Sequence, residues 1–228
     1  MMECGAVVAQ VTVNHLVAGS NPAIPAISRE LNMEIFNDFL SENHVEDIEN
    51  VLMSVDVPWY NMVYGTVGSN NLDEYYEQDN NIIDNPQFTH LFYNDGEIRS
   101  EHYSYLVLPM IRVVESIKRK KLLNNIIRAK ANLLYKNEHY PENAYNKPHT
   151  DNSDFETETL LYYVNNSEGD TFIFNEKKPV NNVLTLNQRV SPEKGKMLFF
   201  DSSYLHAGSP PRKTDFRVVI NIVFAKDY

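Results

Sequence analysis

The chain has 228 residues, 43% of them hydrophobic and 22% charged, with a net charge of −11. That composition supports one sizeable core and one domain, and an acidic chain repels a phosphate backbone, which argues against duplex nucleic acid as the main partner. The single cysteine, Cys4, excludes an internal disulfide or a cysteine-based zinc site and fits a reducing, cytoplasmic compartment; no apolar run reaches the roughly 18 residues of a membrane helix.

Residues 1–27 show neither helical nor strand periodicity over any useful length. The run Gly19-Ser20-Asn21-Pro22 back-translates to GGT-TCG-AAT-CCN, which contains a stretch of a transfer-RNA T-arm. Residues 1–32 are therefore expected to be an extension, either a disordered tail or the product of a misplaced gene start, with translation beginning at Met33. Residues 33–228 are expected to form the single domain. From Glu34 to Ser54 the apolar residues Ile35, Phe36, Phe39, Leu40, Val45, Ile48, Val51 and Leu52 recur at helical spacing, and Ser41 is placed to cap a second helix. Trp59 to Gly68 reads as a strand or extended segment, and Ser69 to Asn85 as an acidic loop. Leu106, Met110, Val113, Val114 and Ile117 give a further helical face over Tyr103–Ile117, with Pro109 marking a start or a kink.

Beyond Lys121 the pattern changes. Ile126–Tyr135, Thr157–Val164, Asp170–Asn175, Val183–Val190, Lys196–Asp201 and Phe216–Phe224 are short runs rich in β-branched and aromatic residues, divided by turn signals such as Asn165-Asn166, Gly195 and Gly208-Ser209-Pro210-Pro211. Helices followed by strands indicate an α+β fold, mainly β. Six or more short strands in this space suit a sandwich or jelly roll.

His149 and Asp151 lie two apart between two predicted strands, so on an extended chain both side chains point the same way. A second histidine, His206, follows far downstream. Two imidazoles and one carboxylate are the donor set of a non-haem Fe(II) facial triad. An H-x-D tripeptide alone is weak, and a surface histidine beside a solvated aspartate is its ordinary explanation. Arg217 adds to it: an arginine within the apolar run Phe216–Phe224 is costly unless paired, and the far carboxylate of 2-oxoglutarate would be a bidentate partner. A protein carboxylate or an edge position would serve as well. Tyr163 shares a strand face with Thr159 and Leu161 and could add a phenol to the same carboxylate, or simply pack in the core. The other histidines, His15, His44, His90, His102 and His139, show no ligand spacing and read as surface or turn residues.

The order His149-x-Asp151, Leu161-Tyr162-Tyr163-Val164-Asn165, Gly169-Asp170-Thr171, Gly195-Lys196-Met197-Leu198-Phe199-Phe200-Asp201, His206-Ala207-Gly208 and Arg217 resembles the prolyl-hydroxylase-like branch of the 2-oxoglutarate/Fe(II) dioxygenases. The likeness covers roughly Asn124 to Phe224 and is nearest to the small stand-alone members of bacteriophages and marine bacteria, for which the compartment would be the host cytoplasm. It implies a double-stranded β-helix (jelly roll) with N-terminal supporting helices. It places the iron ligands on His149, Asp151 and His206, the oxoglutarate-binding arginine on Arg217 and the tyrosine on Tyr163. It offers Asn132 as a further co-substrate contact, although the aromatic expected two residues later is Leu134 here and Tyr135 is one step off. Asn221 shares a face with Arg217 and is expected to assist. Asp201 is expected either to orient a metal ligand or to cap a turn. Gly169-Asp170 replaces a common Gly-Gly, a change expected to alter a turn without reaching the metal. The implied cofactors are Fe(II), 2-oxoglutarate and O2, with ascorbate keeping the iron reduced. The implied reaction is hydroxylation of a peptide or small-molecule substrate, a peptidyl proline among the candidates, with loop Lys136–Lys147 setting the choice. A small-molecule or nucleobase oxygenase and a catalytically silent metal-binding module are the competing readings.

Overall fold

The computed structural model describes residues 33–62, 79–151, 156–179 and 183–226. The readings of residues 1–32 and of most of the 69–85 loop lie outside them. Two antiparallel sheets carry the fold. The larger has the order β1 (Glu34–Phe36), β9 (Met197–Asp201), β6 (Thr157–Tyr163), β11 (Phe216–Ala225), β5 (Ile126–Tyr135), β3 (Gln87–Asn94) and β2 (Tyr60–Met62), with β4 (Glu97–Ile98) attached to β3. The smaller has the order β10 (His206–Gly208), β7 (Thr171–Phe174) and β8 (Leu186–Val190). The two sheets face each other, the larger one backed by helices, which is the double-stranded β-helix arrangement.

Strand alternation assigns two tasks to the large sheet. On its outer face Ala129, Ala131 and Leu133 of β5, Ile220, Ile222 and Phe224 of β11, and Leu160 and Tyr162 of β6 join the main core. Helices α1 (Glu42–Leu52) and α2 (Leu108–Lys118) cover that face through Ile48, Leu52, Met110, Ile111 and Val114. The Ser41 side chain accepts the His44 N–H and begins α1. Pro109 sits in the first turn of α2, where its missing donor costs nothing. A π-helical turn, Tyr103–Val107, precedes it. On the inner face the cross-strand registers build rows. One runs Thr89, Asn132, Val219, Tyr163; the next runs Leu91, Lys130, Asn221, Leu161, Leu198; a third holds Arg128, Val223, Thr159 and Phe200. This face looks towards the small sheet.

Three sequence expectations change. Glu34–Phe36 is a strand, not the start of a helix: Ile35 and Phe36 pair with Leu198 and Met197 on β9, one side chain going to each face of the sheet. A short apolar run fits either period, and tertiary pairing decides. Strand β3 was not anticipated, although it ends in Asn94-Asp95-Gly96, where Asp95 and Gly96 have φ of 49° and 87° and turn the chain into β4. His90 is buried rather than superficial, with its ring nitrogens satisfied by the Pro58 carbonyl and the Ser100 hydroxyl.

Asn165, at the end of β6, is nearly buried. Its amide donates to the Phe216 carbonyl and its oxygen accepts the Val218 N–H, both at 2.9 Å. It thus supplies the backbone partners that β6 itself stops providing and starts β11 in register. Asn165→Ala leaves both groups unpaired and is expected to cost about 2–4 kcal/mol, read as a lowered midpoint in urea unfolding.

Candidate metal centre and active site

His149 and His206 form an isolated antiparallel bridge that extends the small sheet by one segment. Each backbone N–H donates to the other residue's carbonyl, at 2.9 and 3.0 Å. The pairing places the two rings with centroids 4.6 Å apart. Two residues further on, the Asp151 N–H reaches the Ser202 carbonyl at 3.4 Å, so the same two chain segments also hold the carboxylate. The ligand atoms of His149, Asp151 and His206 all lie within 4.8 Å of one another.

The imidazoles are oriented alike. Nδ1 of His149 faces the Lys147 carbonyl at 3.3 Å, and Nδ1 of His206 faces the Tyr204 carbonyl at 3.0 Å. A proton on each Nδ1 satisfies those carbonyls and leaves each Nε2 with a free lone pair. Nε2 of His206 is buried without a hydrogen-bond partner and lies 3.5 Å from Oδ2 of Asp151. Two acceptors facing each other inside a protein need a cation between them. The donor set, its geometry and this orphaned nitrogen fit a bivalent metal ion.

The large sheet supports the carboxylate. Oδ1 of Asp151 accepts from Nη2 of Arg128 at 3.0 Å, and Oδ2 accepts from the Thr159 hydroxyl and, at 3.4 Å, from Nδ2 of Asn221. These three side chains come from three adjacent strands. Burial opposes ionisation of Asp151, but the His206 ring, the Arg128 guanidinium and His149 outweigh it and hold the carboxyl well below its usual range. Phe200 packs edge-on against His206, with ring centroids 5.0 Å apart. Asp201 does not reach the ligands. It accepts the Ser203 N–H at 3.0 Å and pairs with Lys226 at 2.7 Å, so it shapes the turn that leads into His206.

Arg217 lies further along the inner face and is 4% exposed. Its Nε donates to the Gly169 carbonyl at 2.6 Å and its Nη2 to the Thr171 hydroxyl at 2.9 Å. Among the described residues no carboxylate pairs with it: the adjacent Asp170 is taken by Arg189. Tyr163 is fully buried, with its ring 5.8 Å from the guanidinium carbon and its hydroxyl donating to Thr171 at 2.8 Å. Burial pushes this phenol up to about 12, so it stays a donor. Gly169 permits the whole arrangement. A Cβ there would stand 2.4 Å from the Ser209 carbonyl oxygen and 2.7 Å from Cδ of Arg217. A buried guanidinium without a counter-charge is a vacancy for an anion.

Asn132 lies on the inner face beside Val219 and Thr89, with its carbonyl oxygen buried and unpaired. Leu134 is buried opposite Arg217, whereas Tyr135 points away and packs on Phe88. Sequence reasoning missed Arg128, Thr171 and Lys130. The alternation Arg128-x-Lys130-x-Asn132, three polar residues on one face of an otherwise apolar strand, was the signal available.

Residues 135–225 match the family described as the 2OG-Fe(II) oxygenase superfamily. The match covers less than half of the chain, the part that carries β6 to β11. No curated protein sequence matches it. Among solved structures it is similar to a 2OG-Fe(II) oxygenase-family oxidoreductase from Burkholderia pseudomallei, with a TM-score of 0.58, 12% identity and 86% of each chain covered. It is also similar to a prolyl hydroxylase from Trichoplax adhaerens in complex with a hypoxia inducible factor peptide, with a TM-score of 0.52, 18% identity and coverage of 86% of this chain and 84% of that one. A third is the epimerase SnoN in complex with Fe3+, alpha ketoglutarate and nogalamycin RO, with a TM-score of 0.54, 12% identity and coverage of 87% and 80%. The family is one of oxygenases that use iron and 2-oxoglutarate. No helix among the described residues is long and apolar enough to cross a membrane.

Burial first, then the neighbouring His206 ring and Lys130 ammonium, push His149 down from 6.5 to about 3, against the pull of Asp151. The unfolded chain therefore takes up this proton near pH 6.5 and the folded chain does not. The stability tied to it is full above about pH 6.5 and is lost progressively as pH falls towards 3, by at most about 1.4 kcal/mol per unit. Urea unfolding of the metal-free protein between pH 7.5 and 5 is expected to show that slope, and His149→Gln to flatten it.

Proposed function

We propose that the chain is a hydroxylase in which His149, Asp151 and His206 hold Fe(II) and Arg217 receives the far carboxylate of 2-oxoglutarate. The observation that carries this reading is a pair of unmet demands, one on each sheet: on the small sheet a buried His206 nitrogen facing a carboxylate, and on the large sheet a buried arginine with no carboxylate partner among the described residues. When bound, the iron and the oxoacid would supply the oxidising power with O2, one oxygen atom going to succinate as CO2 leaves and the other into a substrate C–H bond. Ascorbate would keep the metal reduced.

The chain's own contribution is positioning and exclusion of water. The two carbonyl-anchored imidazoles present unprotonated Nε2 atoms. Arg128, Thr159 and Asn221 fix the rotation of the Asp151 carboxylate and keep it ionised. Arg217, Tyr163 and Thr171 form the floor of an anion pocket whose only charge is positive, so a dicarboxylate entering from the metal side meets a donor set already built. Asn132, between that pocket and Lys130, supports a further contact to the co-substrate. Val219 and Leu134 give the remainder of the wall an apolar lining that keeps solvent from the oxoacid.

A peptidyl proline as substrate follows from the resemblance and from the Tyr162-Tyr163-x-Asn165 run. In the fold that asparagine locks a strand start, and the second tyrosine faces the anion pocket, so neither addresses the substrate. The inner-face cations favour a second reading, taken up below. Thermal unfolding with Fe(II) under argon and 2-oxoglutarate tests the core proposal: each ligand is expected to strengthen the stabilisation by the other. His206→Ala should abolish the metal effect, and Arg217→Ala only the oxoacid effect. Succinate release from 2-oxoglutarate should vanish in both. Retained oxoacid stabilisation in Arg217→Ala would overturn the assignment of that residue.

A further inference from the structure

Strand β5 turns Arg128, Lys130 and Asn132 onto the inner face, in successive rows beside the metal-ligand cluster. Arg128 spends one nitrogen on Asp151, while its Nε is buried without a partner. Lys130 sits opposite Asn221, itself bonded to Asp151, and has no hydrogen-bond or ion-pair partner among the described residues. Its strand partner Asn221 reaches Asp151, which sets Lys130 in the row beside the metal-ligand cluster, and its charge acts on both His149 and Asp151. Beside it the Thr89 hydroxyl, the Asn132 carbonyl oxygen and the Asn221 carbonyl oxygen are also buried and unpaired. Orphaned polar groups are rare in a folded interior, and a cluster of them on one face marks a place built to be completed by a ligand.

Neither the iron nor the co-substrate uses this cluster fully. The oxoacid's far carboxylate belongs to Arg217, on the opposite side of the row that holds Asn132 and Val219. The charges point the same way. When a divalent metal, one aspartate and an oxoacid dianion are set against Arg128, Arg217 and Lys130, positive charge is left over. An excess of one sign in a half-buried site attracts an anion.

Building on the function proposed above, we propose that Lys130, with the free edge of Arg128, binds a carboxylate of the substrate to be oxidised, and that this substrate is a small free acid such as an amino acid. The distance supports a small molecule. Lys130 and Asn221 are directly paired across two strands, and paired Cα atoms lie only about 4.5–5.5 Å apart, so an acid group held there is a few bonds from the carbon that faces the metal. The unpaired hydroxyl and amide oxygens accept hydrogen bonds, and an ammonium or hydroxyl group on the same molecule would donate them. Lys130 is a specificity-determining residue in this scheme and takes no part in the bond changes.

The test is calorimetric titration of the full chain, loaded with Mn(II) and 2-oxoglutarate under argon, with the common free L-amino acids and with their amides. At least one acid is expected to bind, its amide about tenfold or more weakly, since loss of a charged hydrogen bond is worth that factor. Lys130→Met should reduce binding of that acid by about the same factor and Lys130→Arg should restore most of it, while the Mn(II) and 2-oxoglutarate affinities change less than about twofold. Acid and amide binding alike, no acid binding, or a parallel loss of 2-oxoglutarate affinity in Lys130→Met would each overturn the proposal. Failure of Mn(II) and 2-oxoglutarate to bind the wild-type chain at all would instead overturn the hydroxylase reading on which it rests. Thermal unfolding of both variants verifies that they fold.

Discussion

Two hydrogen bonds between the backbones of His149 and His206 hold the site together. They join segments 57 residues apart in the chain, and they do so at the ligand residues themselves. Because the bridge fixes both backbones, the rings need only one further constraint each, and the carbonyls of Lys147 and Tyr204 provide it. Asp151 follows two residues on and inherits its position from the same pairing. The metal geometry is thus a property of a narrow piece of sheet rather than of flexible side chains converging from loops.

The large sheet does the complementary work. Its outer face is an ordinary apolar core against two helices, and the stability of the domain resides there. Its inner face carries buried polar side chains, Thr159, Asn221 and Arg217, together with the half-buried Arg128 that pairs with Asp151. Such groups are tolerated because each is either paired with another or aimed at a place where a ligand completes it. The same strands therefore supply rigidity on one side and chemistry on the other.

Much of this was legible in the sequence. The strands β5 to β9 and β11 were bounded to within a few residues, because each is rich in β-branched and aromatic residues and flanked by turn residues, whereas the three-residue β10 was not read as a strand. The grouping of His149, Asp151 and His206, which could hold a metal ion, was visible because the first two are two apart and Arg217 interrupts an apolar run. What escaped was what depends on partners distant in the chain. Glu34–Phe36 becomes a strand only because β9 offers an edge. Thr171 gains its place only because Arg217 crosses to it, and Arg128 went unremarked because nothing local announces Asp151 as its neighbour. Asn165 was grouped with a family run, but its contacts show that it completes the backbone ladder of β11.

Strand β11 is committed on every side. It pairs with β5 on one edge and β6 on the other, sends Val218, Ile220, Ile222 and Phe224 into the core, and turns Arg217 and Asn221 to the opposite side. Losing or gaining one residue within it would exchange the two sets at a stroke, putting a guanidinium among the helices and branched aliphatics beside His149, Asp151 and His206. Replacing any one residue disturbs only one of those relations. Divergence in such a fold is thus free to rewrite the letters of this strand but not its count, while changes of length collect in the connections. That is one physical reason why relatives sharing about an eighth of their residues can still superpose over most of the chain.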